Sequence, residues 1–96
     1  MNERKKLLDL FFNALTRLVA WTRKHQVEKE DIICYEINEG IETEFELCSY
    51  YDGSMSLDRR GYTTHVAFAN SMQEIDVLLN AFLAAHGYTE LTVEDL

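Results

Sequence analysis

The chain has 96 residues, a formal net charge of −8 and 47% hydrophobic residues. That length supports one domain, because either half alone would bury too little apolar surface to fold, and the apolar fraction excludes a disordered acidic tail. No apolar run approaches the roughly 18 residues of a membrane-spanning helix.

The charge is unevenly placed. Residues 2–26 carry six basic side chains against two acidic ones, and the remainder carries three against fifteen. The C-terminal three-quarters therefore sets up a negative field that repels nucleic acid and anionic lipid and attracts basic protein surfaces.

The N-terminal stretch begins with basic residues, as a signal peptide does, but Asp9, Asn13 and Arg17 interrupt its apolar region. Apolar residues at 7, 8, 11, 12, 15, 18 and 19, with no glycine among them, predict a helix over 3–26 in a cytoplasmic protein. Leu10, Ala14 and Trp21 widen its stripe beyond one face, so the sheet and a second body, either the other helix or another copy of the chain, are expected to cover it. Leu7, Leu10, Ala14, Leu18 and Trp21 are the candidate self-association seam of a homodimer.

Strands follow from Ile32, separated by glycine-bearing connections ending at Gly40, Gly53 and Gly61. A three-residue bend closing at Gly40 pairs Ile37 with Ile41, Tyr35 with Thr43 and Ile33 with Phe45. The same bend at Gly53 pairs Leu47 with Leu57 and Ser49 with Met55. A two-residue Asp-Gly turn would instead set Leu47 against Asp58 and put charge on the buried face, because a one-residue slip inverts every side chain. The fourth strand is expected to turn Tyr62, Thr64, Val66 and Phe68 inward.

Ser71 and Glu74 fit a capping box opening a second helix over 71–86, with Gly87 as its C-terminal cap. The tail beyond it reads either as a short added strand or as a frayed helical turn from near Thr92, the turn being preferred. The expected fold is α+β, a two-layer sandwich of helix, four-stranded antiparallel meander and helix. Its inner face packs Ile33, Tyr35, Ile37, Phe45, Leu47, Leu57, Val66 and Phe68. The element order resembles that of the double-stranded RNA-binding domain, but acids stand in Ser71 to Asp76 where that family presents lysines, so no nucleic-acid binding is implied.

The outer face then carries Glu36, Glu42, Glu44, Glu46 and Asp58, with Arg60 across from Glu44 and with Glu36 facing Glu42. Like charges placed opposite each other destabilise a sheet, which suggests a use for the row beyond solubility. With Tyr50 and Tyr51 as exposed anchors, these residues are the expected binding site for a basic protein surface. Inhibitors, immunity proteins and nucleic-acid mimics have this size and charge. The alternative is a homodimeric chaperone or scaffold subunit working through the first helix.

No metal, cofactor or membrane is expected as a partner, since glutamates diverging along one strand do not converge on a cation. Cys34 and Cys48 are expected as free thiols in a reducing compartment. With Cys34 across from Glu44, and no signature of an oxyanion hole, catalysis by a cysteine and His65 is not expected. His65 belongs to the outer face, and His25 and His86 sit near helix C-termini.

Overall fold

The computed structural model describes residues 3–25, 28–38 and 44–88. The elements are α1 (Glu3–Lys24), β1 (Ile32–Glu36), β2 (Phe45–Tyr50), β3 (Met55–Arg59), β4 (His65–Ala69), a 3₁₀ turn (Met72–Glu74) and α2 (Ile75–Ala85). The strands form one antiparallel sheet in the order β1-β2-β3-β4. Both helices pack on the same face of it, α1 over β1 and β2 and α2 over β3 and β4. The expected α+β sandwich is therefore the fold.

Spacing explains what the helices bury. Leu7, Phe11, Ala14, Leu15 and Leu18 recur at helical intervals and turn α1 onto the sheet, while Leu78, Leu79, Phe82 and Leu83 do the same for α2. The second body covering α1 is α2: the Phe11 and Phe82 rings lie 5.9 Å apart, and Phe82 meets Phe45 edge-on at 5.6 Å. Three positions of the expected self-association seam, Leu7, Ala14 and Leu18, are thus committed to this core. Leu10 and Trp21 are half-buried, and Trp21 stacks on His25 with centroids 4.1 Å apart.

The cap of the second helix departs slightly from expectation. Ser71 Oγ accepts from the Gln73 N–H at 3.3 Å, and Glu74 Oε1 accepts from the Asn70 N–H at 3.2 Å. Both oxygens still satisfy backbone donors that the turn leaves over. At the other end His86 Nδ1 donates to the Phe82 carbonyl, and Gly87 takes a positive φ while Tyr88 N–H reaches back to Leu83.

The β2–β3 hairpin has the expected register, with Leu47 opposite Leu57 and Ser49 opposite Met55. Asp52 Oδ1 accepts from the Ser54 N–H and hydroxyl, and Gly53 adopts φ +89° to close the bend.

Two other registers differ from expectation. Ile33 faces Ser49 and Tyr35 faces Leu47, four residues further along β2 than a tight bend at Gly40 would give. An even shift keeps every side chain on its expected face while changing its neighbours. Glu36 faces Glu46, and Cys34 faces Cys48. The bend itself, with Gly40 and Glu42, lies outside the described residues, as does the chain beyond Tyr88.

In β4 the faces are reversed. Ala67 and Ala69 lie opposite Leu57 and Met55 on the inner side, while Val66 and Phe68 point outward at 41% and 45% exposure. α2 packs on this strand, and the small alanines let it approach closely while Val66 and Phe68 stay outside. Met55, Ala67 and Ala69 thus take the core places expected of Val66 and Phe68. A bulge between Leu57 and Asp58 restores the other parity at one position and sets His65 against Asp58 on the outer face.

Among the described residues no helix is long and apolar enough to cross a membrane.

Candidate functional site

Neither helix covers the outer face of the sheet, and the registers organise it in rows across the strands. The first row runs Glu36, Glu46, Asp58, His65 from β1 to β4, and the second runs Cys34, Cys48, Ser56, Phe68. Beyond them Ile32 stands opposite Tyr50. One side of the face is acidic, and the other is apolar and aromatic.

The width of these rows follows from the ladder. The Ile37 N–H bonds the Phe45 carbonyl, so the rungs holding Glu36–Glu46 and Cys34–Cys48 are the narrow, non-hydrogen-bonded ones. The Cys34 and Cys48 Cα atoms are 4.1 Å apart and their sulfurs are bonded. This corrects the expectation of two free thiols, and Cys34 faces Cys48 instead of Glu44.

The acidic row is a line of unlike environments. Glu46 is half-buried at the centre, and its carboxyl is pushed above the usual range, first by burial and then by the charges of Asp58 and Glu36. On its β3 side Asp58 Oδ1 accepts from His65 Nδ1 at 2.6 Å. Asp58 Oδ2 lies 3.5 Å from Cys48 Sγ. Arg60 does not pair with Glu44 through its side chain. Arg59 does, its Nε donating to Glu44 Oε1 at 2.6 Å, while its guanidinium lies over Tyr62 and Phe45 at 5.1 and 5.6 Å. The backbone places Arg60 across from Glu44 as expected, but its side chain lines a depression of about 190 Å³ with Glu36, Glu44, Phe45 and Glu46.

A chain of hydrogen bonds links the two sides. From His65, Nε2 lies 3.5 Å from the Tyr50 hydroxyl, which is 2.9 Å from Ser56 Oγ. The Phe68 ring closes the group at 6.1 Å from Tyr50 and 6.0 Å from His65. Asp, His and Ser occur here together, but Ser56 is fully buried and the histidine reaches Tyr50 instead. The arrangement orients an aromatic cluster and does not present a serine nucleophile.

Of the residues expected at the site, the structure brings Glu36, Glu46, Asp58 and Tyr50 onto one face. Glu44 flanks that face in its ion pair, and Tyr51 is exposed in the β2–β3 bend. Phe68, Ser56 and the cysteine pair are additions. Cys34 and Cys48 share the face parity of Glu36 and Glu46, which is a signal for their pairing, whereas "HVAFA" is apolar at both parities and gives none. No family model, curated protein or solved structure matches the chain.

Proposed function

We propose that this chain is a small acidic, non-enzymatic protein-binding module whose open sheet face occludes a basic surface on a partner, as inhibitor, immunity and nucleic-acid-mimic proteins do. The observation that carries this reading is the row Glu36–Glu46–Asp58, held face to face on the uncovered side of the sheet beside exposed Phe68 and Ile32. Like charges so placed weaken the sheet and are relieved when a basic group docks. The depression of about 190 Å³ lined by Glu36, Glu44 and Glu46, with Arg60 at its side, has room for a lysine or arginine side chain. The aromatic row beside it supplies an apolar contact that charge alone would not. A basic nucleic-acid-binding surface is the partner class with the matching field.

A cytoplasmic location is proposed with the Cys34–Cys48 pair reduced there, since the cellular thiol pool reaches the exposed Cys34 end of the disulfide and disulfides rarely persist in that compartment. Dimerisation through α1, the second reading, gains no observation, because Leu7, Ala14 and Leu18 are buried in the chain's own core.

The deciding experiment is capture of partners from a cell lysate at low and high salt, by the parent chain and by E36Q/E46Q. Basic proteins should be captured at low salt, and both the variant and the added salt should release them. Capture indifferent to salt and to both substitutions would refute the docking role of this face.

A further inference from the structure

The register that joins Cys34 to Cys48 also assembles a set of metal-ligating atoms. One ligand atom each from Cys34, Glu46 and Cys48 lies within 4.8 Å of the others. A fourth comes from β3, where Asp58 Oδ2 lies 3.5 Å from Cys48 Sγ. These two sulfurs and two carboxylates come from three neighbouring strands. All four face the side of the sheet on which neither α1 nor α2 packs.

The spacing suits a tetrahedral ion. With metal–sulfur bonds of about 2.3 Å and metal–oxygen bonds of about 2.0–2.2 Å, ligand atoms stand roughly 3.4–3.8 Å apart. The Asp58–Cys48 separation already falls in that range. Rotation of the Cys34 and Glu46 side chains spans the remainder once the sulfurs part. The bond from His65 Nδ1 to Asp58 Oδ1 fixes the carboxylate so that its other oxygen stays toward Cys48. Two sulfurs in the set select zinc over magnesium or calcium.

We propose that the reduced chain binds one zinc ion through Cys34, Cys48, Glu46 and Asp58, and that formation of the Cys34–Cys48 disulfide expels it. The redox step balances as thiol–disulfide exchange: a thiol reductant drives the reduction, and its own disulfide is the oxidant that takes two electrons from the thiolates when the Cys34–Cys48 bond forms and zinc leaves. Two reductant thiols give up two electrons and two protons and become a disulfide, while the Cys34–Cys48 bond breaks to give two thiols. Zinc then displaces both thiol protons to solvent, since thiolates are the ligands. Cys48 is buried and Cys34 is exposed, so the reductant attacks from the Cys34 side. A dication there also relieves the mutual repulsion of Glu36, Glu46 and Asp58.

This goes beyond the docking role and is tested without any partner, so either reading can fail alone. The full chain is reduced with a phosphine under argon and titrated with cobalt(II), a coloured stand-in for zinc, and then with zinc. The reduced chain should take up one cobalt ion, with tetrahedral visible bands and a sulfur-to-metal charge-transfer band, and zinc should displace it. The oxidised chain should show neither band. E46Q and D58N should each weaken binding by about tenfold or more while keeping the sulfur band.

Far-UV circular dichroism follows the fold throughout. If reduction unfolds the chain, zinc should restore the native spectrum to the parent but not to C34S/C48S. Absence of metal binding, a missing sulfur band, unchanged affinity in both E46Q and D58N, or failure of zinc to refold a chain that reduction has unfolded would overturn the assignment.

Discussion

Glu46 is where the chemistry of the open face concentrates. It is flanked by Glu36 on β1 and Asp58 on β3, and burial together with those two charges raises its proton affinity above the ordinary carboxyl value of 4.5. The sign of the effect on stability follows. A folded-state pKa above the unfolded one means that the native chain holds the proton more tightly, so the gain is full below about 4.5 and is lost as pH rises through the raised value. Replacing this carboxylate with an amide removes the penalty. E46Q should be more stable than the parent near pH 7 by about 0.2–1 kcal/mol. The gap should close towards about pH 4, as read from urea midpoints in the two buffers. The same substitution should weaken both partner docking and metal uptake, so a side chain that loosens the isolated fold serves the proposed activities.

Among the elements, the β2–β3 hairpin shows how local chemistry fixes long-range geometry. The Asp52–Ser54 hydrogen bonds and the left-handed Gly53 set the bend, and the bend alone fixes which residues of β2 and β3 face each other. G53A places a Cβ on a backbone with φ +89°, although there is open space around it. The expected loss is therefore conformational, about 1–2 kcal/mol, and thermal or urea unfolding of the variant measures it.

This hairpin is legible in the sequence because a one-residue slip would put Asp58 on the buried face, and the short bend at Gly53 leaves no room for a larger shift. The β1–β2 register is not, since a shift of four residues changes no side chain's face and leaves the apolar pattern unaltered. The fourth strand misleads for a different reason. With apolar residues at both parities, hydrophobicity favours Val66 and Phe68 inside, whereas the packing of α2 on this strand takes Ala67 and Ala69 into the core instead. The acidic character of the outer face is legible in the alternation of Glu36, Glu44 and Glu46. Its cross-strand neighbours, including the Asp58–His65 pair and the cysteine pair, depend on the two registers that the pattern leaves open.

On the scale of the whole molecule, an excess of acids is packed into a body with a radius of gyration of 13.2 Å. Self-repulsion at that size destabilises the compact state, and counter-ions screen it. Raising sodium chloride from about 10 mM to about 500 mM should increase the melting temperature by a few degrees. A melting temperature that falls or stays fixed would mean that local ion pairs such as Glu44–Arg59 outweigh the net field.

The strand order β1-β2-β3-β4 repeats the order of the chain, so each strand finds its partner next door in sequence. Such a layout has low contact order: the hairpins can close one after another, each at a small loop-closure penalty, without waiting for distant segments to meet. The two helices, at opposite ends of the described chain yet side by side over the sheet, supply its longest-range pairing. Their docking is therefore the step expected to limit the folding rate.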